Sequence, residues 1–268
     1  MPETDSSTHP VLTRRRALAA VAALAAGGAA VTFAATRDGA ETPAHWDYEA
    51  EGPGHWADLD RTYRTCGSGH AQSPIDLPSH TRSHPDEHIA IEYNVLPTAD
   101  SVNNGHTVQT NLSAGKGNRI LIAGRPYELT QFHFHAPSEH TVDGHGAEME
   151  FHLVHKDATG ALAVLAILLQ PGNGSPFAPL LTALPATSGS TARIGPVDLR
   201  TLLPANHTQF RYTGSLTTPP CTEGVSWTVL RTPLPVARPD LDRYRSLFHH
   251  TNRPVQPLNG RQVTLADN

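Results

Sequence analysis

Residues 131–140, Gln-Phe-His-Phe-His-Ala-Pro-Ser-Glu-His, place three histidines and a glutamate around two phenylalanines. In an extended strand successive side chains point to opposite faces, so Gln131, His133 and His135 share one face and Phe132 and Phe134 the other. Residues 148–156, EMEFHLVHK, divide in the same way. Glu148, Glu150, His152 and Val154 lie opposite Met149, Phe151, Leu153 and His155. Between the two segments stand Pro137, Asp143, Gly144 and Gly146, residues suited to a chain reversal. Antiparallel pairing across that reversal would bring His152 opposite the His133/His135 pair.

Three neutral imidazoles on two neighbouring strands suit a tetrahedral zinc ion whose fourth position stays open. Gln131 and Glu150 each stand two positions before a candidate ligand, on the same face. There they can occupy the second ring nitrogen of His133 and His152, which fixes the tautomer. A carboxylate at position 150 would otherwise be an isolated charge in a sheet interior, which is costly.

Working outward, strand-like patterns recur at 89–95 (IAIEYNV), 106–112, 127–136 and 226–234. The unbroken apolar run 161–169, ALAVLAILL, reads as a central strand covered on both faces. Helical spacing is confined to 239–250, with Leu241, Tyr244, Leu247 and Phe248, and to a shorter segment at 175–184. The 23 prolines argue against a helical bundle. The expected fold is mainly β: one domain on a large, mostly antiparallel twisted sheet with short peripheral helices. The net charge of −5, and the lack of a basic block beyond position 16, exclude a nucleic-acid footprint.

Residues 1–36 stand apart from the domain expected over 37–268. Arg14, Arg15 and Arg16 precede a run from Ala17 to Ala35 whose only polar residue is Thr32. This reads as a twin-arginine export leader or as a retained membrane anchor. Export would place the protein in the periplasm or outside the cell, where Cys66 and Cys221, 155 positions apart, meet oxidising conditions. They form one long-range disulfide or remain two buried thiols, and export favours the bond.

A resemblance sharpens this picture. The segments HWDYEAEGPGHW, CGSGHAQSPIDL, NNGHTVQ, QFHFHAPSEHTVDG, AEMEFHLVH, LAVLAILL, GSLTTPPCTEGVSW and NRPVQPLNGR run in order from about residue 45 to 263. Together they resemble the alpha-class carbonic anhydrases, in a bacterial, exported form. The resemblance implies one Zn2+ per chain on His133, His135 and His152. It also implies reversible hydration of carbon dioxide to bicarbonate and a proton, by zinc-hydroxide attack with histidine proton shuttling.

By the same likeness, Gln131 and Glu150 support His133 and His152, and His135 finds a backbone carbonyl near Asn252. Thr217 corresponds to the threonine that accepts a hydrogen bond from the zinc hydroxide and donates its own to Glu139. His140 and Tyr212 resemble a buried hydrogen-bonded pair and not a second metal site. Val154, Val164, Leu216, Val225 and Trp227 match the carbon dioxide pocket, with Thr218 beside bicarbonate. His106 resembles the proton shuttle, and Tyr48, Asn104 and Gln109 the residues ordering water along its path, although Gln109 stands where asparagine is common. Cys66 and Cys221 fall where a bond would tie the Thr217 loop to the amino-terminal region. Cis peptides are implied at Ser73–Pro74 and Pro219–Pro220. The implied partner is the small-molecule substrate, with membrane contact only through a retained leader.

Two other readings exist. His133, His135, Glu139 and Gly146 satisfy much of a cupin metal motif, in which Glu139 would bind the metal directly. A non-enzymatic protein on the same scaffold is the other. A Glu139–Thr217 contact would speak against the first, and the complete set of three histidines speaks against the second.

Overall fold

The computed structural model describes residues 44–112 and 117–266. The leader or anchor read at 1–36 lies outside them. Among the described residues no helix is long and apolar enough to cross a membrane.

Among the described residues, eleven strands form the principal sheet: β1 (Ala90–Glu92), β2 (Ala99–Asn103), β3 (Val108–Asn111), β4 (Arg119–Ile122), β5 (Arg125–His135), β6 (Met149–Lys156), β7 (Leu162–Pro171), β8 (Thr191–Ile194), β9 (Gln209–Ser215), β10 (Glu223–Val236) and β11 (Thr264–Ala266). The spatial order is β8-β2-β3-β5-β6-β7-β10-β9-β11, with β4 paired to β1 and β5. Within this sheet only β7 and β10 run parallel among the described residues. The mainly β, largely antiparallel expectation holds.

The sheet separates two apolar clusters, one against each of its faces. Phe132 and Phe134 of β5, Phe151 and Leu153 of β6 and Leu165 and Ile167 of β7 fill the larger cluster. Full burial of a side chain of this size is worth roughly 1.5–3 kcal/mol. Val154, Val164, Val225 and Trp227 face the second cluster. β7 therefore has apolar side chains on both faces, which explains its continuous apolar run.

The helix Arg238–Leu247 carries Pro239 and Asp240 in its first turn and packs Leu241 and Tyr244 on the larger cluster. Its Tyr244 hydroxyl donates to the Phe134 carbonyl at 2.7 Å, pinning β5 between its two histidines. The second helical segment shrinks to Ala178–Leu181.

Three boundaries depart from the sequence reading. Segment 89–95 is not one strand. β1 ends at Glu92, and Val95–Leu96 pairs with Val197–Asp198 in a separate sheet. Asn94 makes the break, since its N–H donates to Asn118 Oδ1 and its carbonyl accepts from Leu199 N. β3 begins at Val108, two residues late, because Asn104 Oδ1 accepts from the N–H groups of His106 and Thr107 and holds them in a turn. Finally, the β5–β6 register shifts between Val154 and His155, so His155 pairs with Leu129 and Thr130 is the extra residue.

Candidate metal centre

The β5–β6 register sets His133 opposite His152 and His135 opposite Glu150. One ring nitrogen from each of His133, His135 and His152 lies within 4.8 Å of the others. The ring centroids are 4.7–5.2 Å apart. His135 and His152 are buried and His133 is half-buried, so the cluster is open on one side.

The second ring nitrogens are occupied. His133 Nδ1 meets Gln131 Oε1 at 2.8 Å, and His152 Nε2 meets Glu150 Oε1 at 2.8 Å. His135 Nδ1 meets the Thr251 carbonyl, one residue before the expected Asn252 region. His135 Nε2 is then a buried nitrogen without a hydrogen-bond partner among the described residues. Such an orphan is expensive in a finished core and appropriate for a ligand awaiting a metal. Burial holds the pKa of all three rings below the usual value, to about 4 for His135. Neutral rings present lone pairs, as metal ligation requires. The donor set fits zinc.

Glu150 is the hub beneath the cluster. Its Oε1 also meets His140 Nδ1 at 2.7 Å, and its Oε2 accepts from the N–H groups of Glu139 and His140, each at 2.8 Å. Burial acts to raise its pKa, but the His140 and His152 rings hold its carboxyl well below the usual range. His140 Nε2 meets the Tyr212 hydroxyl at 2.7 Å. Both His140 nitrogens are therefore engaged, and the grouping of His140, Glu150 and His152 is a hydrogen-bonded network.

Glu139 projects beside the ligands, with Oε2 3.6 Å from His135 Nε2 and 4.0 Å from His152 Nδ1. Burial pushes its pKa up to about 7, while His152 and hydrogen bonds from Arg253 N and the Thr217 side chain act to lower it. Thr217 therefore bears electrostatically on Glu139, whose Oε2 is a buried oxygen without a hydrogen-bond partner among the described residues.

Val154, Val164 and Trp227 are register neighbours across β6, β7 and β10, on the face that carries His152. With Val225 and the partly buried Leu216 they make one apolar wall. The Trp227 ring centroid lies 5.1 Å from that of His152, and its indole N–H donates to the Ser215 carbonyl at 2.9 Å. Thr218 is half-buried in the loop that follows Thr217. Its carbonyl accepts from Cys221 N at 2.9 Å.

The residues read as a proton path are more scattered. His106 lies on the turn before β3, stacked on Trp46 with centroids 3.7 Å apart and planes 8° apart. Burial lowers its pKa to about 4, His45 acting in the same sense and Asp47 against it. Asn104 is exposed, its Oδ1 committed to the turn. Gln109 pairs in register with His133 and donates to Asn111 Oδ1 at 2.7 Å. Tyr48 packs edge-on against Trp46. Burial and the nearby Glu139 hold its hydroxyl well above the usual range.

Cys66 and Cys221 form a disulfide. Cis peptides occur at Ser73–Pro74 and Pro219–Pro220 as implied, and also at Ala136–Pro137 and Gly195–Pro196. Sequence reasoning did not single out Gln72, Ser73, Thr251 or Arg253 as supports of the site. They lie within or beside the quoted motifs, but irregular segments carry no periodicity that would show which way they face.

The sequence pattern of the family described as eukaryotic-type carbonic anhydrase matches residues 51–267. The chain belongs to the alpha-class carbonic anhydrase family. A carbonic anhydrase of Klebsiella pneumoniae is 45% identical over 223 residues, covering 82% of this chain and 90% of the relative. The alpha-carbonic anhydrase of Thermovibrio ammonificans, solved with the inhibitor sulfanilamide, is 38% identical with a TM-score of 0.76. That match covers 82% of this chain and 99% of the other. A hyperthermostable carbonic anhydrase from a hydrothermal vent chimney is 39% identical with a TM-score of 0.77, covering 83% and 100%. Membership makes the chain an enzyme of the carbonate dehydratase type. It also replaces the cupin reading, and its histidine cluster agrees with zinc-dependent hydration.

Proposed function

We propose that the protein hydrates carbon dioxide reversibly at a zinc ion held by His133, His135 and His152, in an exported location. The observation that carries this reading is the buried, neutral His135 with its outer nitrogen anchored and its inner nitrogen orphaned beside two more rings. When bound, zinc would lower the pKa of a water molecule to about 7 and so supply a nucleophile at neutral pH.

The protein's own groups would do the rest. With its own hydrogen bond directed to Glu139, the Thr217 hydroxyl would act only as an acceptor toward the nucleophile and so would help to orient it. Val154, Val164, Leu216, Val225 and Trp227 offer uncharged carbon dioxide an apolar niche, and Thr218 stands near the departing bicarbonate. His106, stacked on Trp46 where burial makes it a weak base, would pass the released proton to solvent. Tyr48, Asn104 and Gln109 border that route. The Arg14–Arg16 leader and the Cys66–Cys221 disulfide support export.

The experiment is zinc stoichiometry and hydration rate on the purified protein, with His135→Ala and Thr217→Ala. His135→Ala should lose zinc and activity together. Thr217→Ala should keep zinc and slow hydration about 100-fold, since losing the alignment of a reacting group costs on this order. A zinc-loaded wild type without hydration activity would overturn the proposal.

A further inference from the structure

Arg253 is 1% exposed, and its guanidinium bonds to three neutral oxygens. Nη1 donates to Gln72 Oε1 at 2.9 Å and to the Ser73 carbonyl at 2.8 Å, and Nη2 to the Cys66 carbonyl at 2.7 Å. Its Cζ lies 5.8 Å from the centre of the Trp56 ring. A cation buried this deeply is costly unless its donors are satisfied, as the carbonyl and amide oxygens satisfy them here.

The backbone of the same residue reaches the active site. Arg253 N donates to Glu139 Oε1 at 2.9 Å, leaving Oε2 turned toward the histidines. The segment held by its side chain grips the Thr217 loop on both flanks. Ser73 N donates to Ser215 Oγ at 2.9 Å and Ser215 N donates back to Ser73 Oγ at 3.0 Å. Beyond Thr217, Gln72 Nε2 donates to the Cys221 carbonyl at 3.1 Å. One residue therefore meets Glu139 through its main chain and the mount of Thr217 through its side chain.

We infer that Arg253 is a positioning residue of the hydration reaction, holding the Glu139 carboxylate and the Thr217 loop at a fixed separation. This rests on the hydration reading above. Arg253 touches no reacting atom. It acts by fixing the separation between the Glu139 carboxylate and the Thr217 hydroxyl, because the two residues come from distant parts of the chain and have no local geometry to align them. If the guanidinium were removed, the loop would no longer be referenced to the segment that carries Arg253 N.

The test is a double-mutant cycle on the zinc-loaded enzyme, reading kcat/KM for hydration in concentrated buffer with zinc content and melting temperature alongside. Arg253→Gln should retain zinc and lower kcat/KM by about 10- to 100-fold in the wild-type background. In the Thr217→Ala background, where there is no hydroxyl left to position, the same substitution should cost less than about threefold. Arg253→Lys, which keeps charge and several donors, should recover part of the loss, and it carries the same cycle if Arg253→Gln does not fold. Equal losses in both backgrounds would assign Arg253 a general structural role and overturn the inference, as would an unaltered rate in the wild-type background. An inactive zinc-loaded wild type would fail the hydration reading instead, so the two failures are distinguishable.

Discussion

Oε1 of Glu150 lies 2.8 Å from Nε2 of His152, which leaves Nδ1 as the nitrogen that ring can offer a metal. The usual protein choice would be equally open to the other nitrogen, so the carboxylate decides which way the ring works. Removing the charge weakens that choice and also loosens His140. Glu150→Gln should therefore lower zinc affinity by roughly 10- to 100-fold. Competition against a calibrated chelator measures this directly, and an affinity equal to wild type would show that the carboxylate does not tune the ligand.

The disulfide closes a loop of 155 residues. In the chain-entropy treatment, restricting the unfolded state over that span stabilises the fold by about 5 kcal/mol. Replacing both cysteines, as Cys66→Ser with Cys221→Ser, should then lower the melting temperature by about 10 °C or more, at roughly 2–4 °C per kcal/mol for a domain of this size. Calorimetry of the oxidised wild type and the double variant checks it. Equal melting temperatures would contradict it.

His155 faces the larger core and meets the Tyr93 hydroxyl at 2.8 Å. Burial lowers its pKa to about 3. The unfolded ring titrates near 6.5, so as pH falls the unfolded chain takes up the proton first. Stability from this group is complete above about pH 6.5 and is lost progressively toward about pH 3. Near pH 5 the loss is about 2 kcal/mol, or roughly 4–8 °C of melting temperature. His155→Gln should be less stable at neutral pH but lose less on acidification. Melting curves of both proteins at pH 7.5 and pH 5 test this, and parallel losses would reject it.

His106 and Trp46 are stacked, and burial keeps the ring a weak base there. Trp46→Ala should raise the His106 pKa from about 4 toward its ordinary value, a shift readable by NMR titration. His106→Ala should leave zinc content unchanged and reduce steady-state hydration in weak buffer by about 10-fold or more, since proton transfer by a placed side chain is worth roughly 10²–10⁴. Added imidazole should restore much of the rate. A loss that imidazole cannot repair would mean that His106 shapes the cavity and does not relay protons.

Strand alternation is local, and for that reason the sequence by itself determined which side chains of 131–135 and 148–154 share a face. It also determined that a metal-type cluster forms once the two segments pair, and that 161–169 is covered on both sides. Those conclusions need only backbone geometry and the solubility of side chains. Tertiary structure decided everything that depends on contacts between distant irregular segments. The Thr251 carbonyl under His135, the Arg253 clamp on Gln72, Ser73 and Cys66, and the break at Asn94 have no periodic signature. The stacking of His106 on Trp46 belongs with them, because a turn residue's neighbours are fixed by where the rest of the chain packs. Loops satisfy their backbone groups through whichever partners the completed fold brings near, so their roles appear only after the sheet is assembled.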